Sequence, residues 1–348
     1  MGNKYKKNSS INRKKVLFVS NSTADRISFI REGFSQLDFL EVSQLYLLKD
    51  DKTKSLLTRI LTKLKIPPDL DKLNRRLAIK VRAENPDIIF IVKGNLIYPS
   101  TLKMLKEQHP YIKLVSFSND NMSLWHNKSL FYHYGVKYYD LLVSINIPAY
   151  KDIQDRFSKK IIYVDKSYSP KYHYYEPLEK KYDVIFIGSY EYERYQDLQY
   201  LASKGIKVDV FGNMWDKTKL DRVNKNLTIH YHDLVGDDYR KAICSSKIVL
   251  GFLRKINFDT QTSRSFEIPA CGSFMLMERT NEHQRLFEEG EEAEYFSSNE
   301  ELLNKTIYYL KNEIERESIA KNGRLKCESA GYSYAERIKG IISEINKL

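Results

Sequence analysis

DVIFIGSYEYER, residues 183–194, carries an apolar run through a single glycine straight into a polar segment able to form a helix. That is a strand entering a helix. The same punctuation recurs on both sides of it. Upstream, KVLFVS (15–20) passes through Asn21, Ser22 and Thr23 into a helical pattern from Asp25 to Leu37, and further apolar runs fall at residues 42–48, 88–92, 113–117, 141–145 and 161–164. Downstream come VDVFG (208–212), LTIHYH (227–232), KIVLGFL (247–253) and FMLM (274–277). Short apolar runs alternating with helix-length segments argue for parallel sheets covered by helices on both faces.

At 348 residues the chain is longer than one hydrophobic core usually organises, which favours two domains. KSYSPKYHYYEPLEKK (166–181) interrupts the alternation with two prolines and no apolar period, and reads as the linker. The expected organisation is a basic tail over 1–14, a first Rossmann-like domain over 15–165, a second over 182–330, and a closing helix over 331–348 that returns to the first. Fold class is α/β, two doubly wound domains facing across a cleft, with ligands at the carboxyl ends of the strands.

Hydrophobic residues make up 42% of the chain and charged residues 29%, as in an ordinary folded protein. With 57 bases against 45 acids the net charge is +12, which favours anionic partners without choosing among them. The three cysteines are odd in number and far apart, against a disulfide framework or a zinc site. No apolar leader precedes the first strand, and DIIFIV (87–92) and IVLGFL (248–253) are too short to span a bilayer. The expected compartment is the cytoplasm, with peripheral contact to an anionic membrane face left open.

Chemistry concentrates in two places. After the strand ending at Gly188, Ser189 leads through Tyr190 to Arg194 into a helix, so backbone N–H groups and a positive dipole end point where a phosphate would sit. There is no G-x-G-x-x-G and no G-K-[ST], and a tight turn explains Gly188 equally well. FDTQTSRSFEIPACGSFMLMERT (258–280) places Arg264 and Glu267 near the start of a short helix. A carboxylate there can accept two ribose hydroxyls, and an arginine can fork onto a diphosphate. A helix-start carboxylate and a surface cation are the structural alternatives.

Residues 264–310, together with 183–194, VDVFGNMW (208–215) and the stretch 239–253, resemble the carboxyl-terminal half of the GT-B glycosyltransferases of the CgeB-like (spore maturation protein) group, relatives of glycosyltransferase group 1. The resemblance implies that Glu267 binds the nucleotide ribose, that Arg194 and Arg264 face the diphosphate, and that Gly188 and Ser189 form the phosphate-side turn. Many group 1 relatives carry an earlier glutamate eight positions before the ribose-binding one; here that position is Asp259, a shorter acid, with Asn257 and Thr260 beside it. Asn213 and Trp215 are placed to flank the base. In the first half, SFSNDN (116–121) offers Asp120 as the general base of an inverting transfer, with an Asx turn as the structural alternative.

The acidic run FEEGEEAE (287–294) reads by its charge as a solvated surface with Gly290 ending a helix. His126 with His133, and His230 with His232, lack the further ligands of a metal site. The function expected is metal-independent transfer of a sugar from a nucleotide diphosphate sugar to an unidentified acceptor, a glycan, lipid-linked molecule or protein, with no cofactor. Two other classes stay open: a catalytically silent nucleotide-sugar-binding or surface-layer assembly protein, and a basic nucleic-acid-binding protein. Dispersed bases and the absence of a legible nucleic-acid module argue against the last.

Overall fold

The structure is a computed structural model that describes residues 13–20, 25–46, 56–157, 159–216 and 223–348. The turn 21–23 and residues 1–12 of the expected basic tail lie outside these. The chain divides into two compact units, Met1–Asp165 with Tyr334–Leu348, and Lys166–Ser333.

In the first unit the elements are β1 (Lys14–Ser20), α1 (Asp25–Ser35), β2 (Leu40–Tyr46), α2 (Leu56–Lys63), α3 (Leu73–Glu84), β3 (Ile88–Val92), α4 (Pro99–Gln108), β4 (Lys113–Ser118), α5 (Leu130–Gly135), β5 (Leu141–Ser144), α6 (Ile147–Phe157) and β6 (Ile161–Tyr163). The strands form one parallel sheet in the order β2-β1-β3-β4-β5-β6. Alternate residues feed opposite faces. Leu17, Val19, Ile89 and Ile91 join one core layer, while Val16, Phe18, Ile88 and Phe90 join the other. Burial on both faces explains why these strands read as unbroken apolar runs.

The second unit repeats the plan with β7 (Tyr182–Ile187), α7 (Tyr192–Ser203), β8 (Val208–Phe211), β9 (Leu227–Ile229), α8 (Gly236–Cys244), β10 (Ser246–Gly251), α9 (Arg264–Ala270), β11 (Phe274–Glu278), α10 (Asn281–Leu286), β12 (Glu294–Phe296), α11 (Asn299–Lys311) and α12 (Glu313–Ser329). Its sheet is also parallel, in the order β12-β11-β10-β7-β8-β9. The order reverses between β7 and β10, so the loops after those two strands diverge and leave room at their carboxyl ends. The residues expected as a linker belong to this unit: Ser167, Tyr168, Ser169 and His173 are buried, and Tyr168 N donates to Tyr332 O at 3.3 Å.

The last helix, α13 (Tyr334–Ile345), completes the first unit rather than the second. Ile338, Ile341, Ile342 and Ile345 enter the core layer of Phe18 and Phe90, against Ile27, Ile30 and Phe34 of α1. The two helices touch at Gly33, where a Cβ would lie 2.7 Å from Ile338 Cδ1 and 2.9 Å from the Tyr334 backbone. Backbone cannot yield as a flexible side chain can. Gly33→Ala should therefore destabilise the first unit by about 1–3 kcal/mol in urea unfolding, despite the better helix propensity of alanine; a stabilised variant would show that α13 does not pack there.

Candidate functional site

At the switch point of the second sheet, Gly188 follows β7 and is tied to the neighbouring strand end. Its N–H donates to Phe211 O at 2.7 Å, and its carbonyl accepts from Trp215 Nε1 at 2.9 Å. Gly212 makes this approach feasible: it sits at φ +147°, and a Cβ there would lie 2.0 Å from Gly188 O. Ser189 is exposed beyond the turn. Trp215, expected beside the base, is 0% exposed and packs edge-on against Tyr190, ring centroids 5.2 Å apart. Its indole is consumed by the core and by Gly188, so it offers no face to a ligand. Asn213 is exposed, donates its side-chain amide to Asp233, and accepts at its backbone oxygen from Tyr190 N.

Arg194 sits in the first turn of α7 and is buried. Nη1 donates to Ser189 O at 3.2 Å and Nη2 to Leu253 O at 3.1 Å, stapling the loops after β7 and β10, while Glu191 Oε1 lies 3.3 Å away. Burial lowers its pKa; Glu191 opposes that shift and the neighbouring Arg264 reinforces it. Arg264 opens α9. Its guanidinium has no hydrogen bond or ion pair among the described residues, and Nε is buried without a partner. Arg194 thus lies in the field of two further guanidinium groups, Arg254, which shares Glu191 at 3.5 Å, and Arg264, which has no carboxylate among the described residues.

Glu267, one turn further along α9, is also buried. Tyr239 of α8 donates its hydroxyl to Oε2 at 2.6 Å, and His173 Nε2 lies 3.9 Å from Oε1. Burial, then the Glu267 carboxylate, pushes the Tyr239 phenol well above its ordinary range, so it stays a donor. The start of α9 is braced by a chain of hydrogen bonds. Thr262 N donates to Ser265 Oγ at 3.0 Å; Ser265 Oγ lies 2.8 Å from His283 Nε2, and His283 Nδ1 lies 2.7 Å from Glu278 O. A carbonyl only accepts, so Nδ1 carries the proton and Nε2 receives the Ser265 hydroxyl. Burial pushes the His283 pKa down to about 4, which keeps the ring neutral.

The remaining sequence candidates are paired. Asp259 faces Lys166 Nζ at 3.7 Å, and the same lysine donates to Gln261 O at 2.7 Å. In the first unit Asp120 follows β4 and pairs with Lys93 Nζ at 2.5 Å; Lys93 and Gly94 both take left-handed φ, +64° and +70°. The acidic run is not a solvated surface throughout: Glu294 is buried in β12, accepting from Tyr309 and Lys305, and Glu289 binds Arg279 and Lys305. Its charge pattern hid this because the cations come from β11's end and α11. Tyr239, His173 and His283 had no role in the sequence reading, since no local spacing links them to Glu267 or Ser265. Among the described residues, no group of three or more His, Cys, Asp or Glu is placed to hold a metal ion.

Residues 194–343 match the family model described as Glycosyl transferase-like, a span that includes Arg194, Asp259, Arg264 and Glu267. No curated protein sequence matches the chain. Among solved structures, sucrose-phosphate synthase from Thermosynechococcus elongatus is similar with 10% identity, TM-score 0.64 and coverage of 96% of this chain and 100% of that one. HepE from Anabaena in complex with UDP gives 12% identity, TM-score 0.64 and coverage of 96% and 100%. A glycosyltransferase from Rickettsia africae gives 12%, 0.63, 97% and 98%. Identities this low carry fold and no chemistry. The fold is GT-B, two Rossmann-like α/β domains, and the family match, over less than half of the chain, is to a Glycosyl transferase-like model.

The brace under α9 makes a pH prediction. Below the ordinary histidine value of 6.5 the unfolded chain takes up a proton that folded His283 refuses, so this contribution is constant above that pH and stability falls as pH drops from 6.5 toward 4. The loss should be on the order of 2–3 kcal/mol. Chemical denaturation across that window should show it, with a flatter profile for His283→Gln; an equal slope in both proteins would contradict a buried neutral ring.

Proposed function

We propose that this protein is a CgeB-like GT-B glycosyltransferase that transfers a sugar, a hexose, from a nucleotide diphosphate sugar to an acceptor received by the first unit. The observation that carries this reading is Arg264: a half-buried guanidinium beside a second one, with no carboxylate of its own. A buried cation without a counter-ion is unfavourable unless an anion arrives to meet it. A diphosphate supplies that anion and can accept the fork of an arginine.

In this reading Arg194 and Arg264 receive the diphosphate beside the turn at Gly188 and Ser189. Negative charge grows on the diphosphate as the bond to the sugar breaks, so guanidinium groups held in place beforehand stabilise the transition state more than the ground state. No divalent cation is required for that role, and turnover should persist in EDTA. Glu267, oriented by Tyr239, accepts the ribose hydroxyls through the oxygen it does not give to the tyrosine. Asp259 serves the sugar, and Asp120 removes the acceptor proton if the transfer inverts the anomeric centre. HepE is described in complex with UDP and with UDP-glucose, so uridine nucleotides are the first donors to test.

Thermal shift with UDP, GDP, dTDP and CDP sugars should identify one base by a raised melting temperature. For that donor, Glu267→Ala should abolish the shift while the fold persists. Arg264→Ala should leave the ligand-free melting temperature unchanged or higher, because it removes one of two facing cations, yet weaken nucleotide affinity by about 30- to 100-fold. An Arg264→Ala protein with full affinity would remove the diphosphate from this site.

A further inference from the structure

Helix α2 packs the wrong way round for a helix of a water-soluble surface. Leu56, Leu57, Ile60 and Leu64 are 73%, 64%, 44% and 58% exposed, whereas Thr58, on the opposite side, is 9% exposed. At 100° per residue Leu56, Leu57 and Ile60 fall within one 100° sector of the helix, Leu64 follows at its carboxyl end with its N–H on Ile60 O, and Thr58 lies outside the sector. Leu70 of the following loop and Ile79 of α3 are also exposed. The segment is nevertheless anchored: Leu130 N donates to Lys65 O at 2.8 Å, and Lys65 Nζ donates to His126 O at 3.1 Å. A fixed helix that buries Thr58, half-buries Leu61 and leaves Leu56, Leu57 and Ile60 exposed has an apolar partner outside the fold.

Charge identifies the partner. Residues 52–68, KTKSLLTRILTKLKIPP, contain five Lys or Arg and no carboxylate. Arg59 and Lys63 are exposed and fall at one edge of the apolar sector, the arrangement by which an interfacial helix lays hydrocarbon into a bilayer and keeps its cations among the headgroups. A second copy of the chain would bring these cations together with like charge. Among the described residues no helix is long and apolar enough to cross a membrane. We propose that α2 docks the first unit on the surface of an anionic phospholipid bilayer, Leu56, Leu57, Ile60 and Leu64 entering the acyl boundary and Arg59 and Lys63 meeting lipid phosphates. This inference stands on α2 alone and not on the transfer reading.

The test is flotation of the full chain with vesicles of phosphatidylcholine alone and of phosphatidylcholine with about a quarter phosphatidylglycerol. The protein should float with the anionic vesicles and not with the neutral ones. The double variant Leu57→Glu, Ile60→Glu should reduce that binding at least about tenfold. Both positions are exposed, so its thermal melting should match wild type. Arg59→Ala, Lys63→Ala should weaken binding and flatten its salt dependence. Anionic binding untouched by the leucine and isoleucine changes would assign it to other basic residues and overturn the proposal. So would failure to bind any vesicle, or a wild-type dimer in light scattering that the double variant converts to monomer without vesicle binding.

Discussion

The second unit holds Arg194 within electrostatic reach of Arg254 and Arg264, and among the described residues it gives a shared acid, Glu191, to Arg194 and Arg254 and none to Arg264. Everything near the switch point follows from how that imbalance is built and tolerated. Arg194 is committed to protein: its two terminal nitrogens bind the carbonyls of Ser189 and Leu253, so it is a brace between two loops as much as a binding group. Arg264 is uncommitted, and its position depends on a short helix whose first turn is fixed from below by Ser265, His283 and the Glu278 carbonyl. A buried polar atom without a partner is costly, and Arg264 Nε shares that state with the Nε atoms of Arg194, Arg240 and Arg316. The cost is tolerable because Arg264 is only partly buried, leaving water to solvate part of the charge.

Much of the fold was legible in the chain because parallel strands buried on both faces leave continuous apolar runs. IIFIV in β3, VIFI in β7 and FMLM in β11 need no partner information to be read. What failed to show was structure that depends on distant residues. β12 is three residues long and starts with a glutamate, so EYF carries no strand signal until Lys305 and Tyr309 neutralise and cap that acid. Residues 166–181 look irregular, and are; yet His173 and Tyr168 are buried in the second unit, because irregular backbone can pack when its polar groups find partners.

The candidate site divides in the same way. Gly188, Arg194, Arg264 and Glu267 are singled out by residue type, as groups able to meet a diphosphate and a ribose, and the structure puts Arg194 and Arg264 within electrostatic reach of each other. Trp215 could not be assigned from residue type: an indole at a strand end looks like a stacking platform, and only Gly212's approach to Gly188 shows that it is folded inward onto a carbonyl. Tyr239 and His173 converge on Glu267 from segments 28 and 94 positions upstream, a juxtaposition that exists only once α8 and the 166–181 segment are brought against α9.

The passage of the chain into the second unit and back has a consequence for synthesis on the ribosome. Residues 166–333 are contiguous, and Tyr168 and Ser333 meet in a parallel bridge, so that body holds its own two ends together and can close as soon as it has emerged. The first body cannot. Its strands are translated early, but the hydrophobic flank formed by Ile27, Ile30 and Phe34 waits for four isoleucines that appear more than 170 residues after Asp165. During elongation that flank stays open to water or to a chaperone, and the half made first is the half finished last.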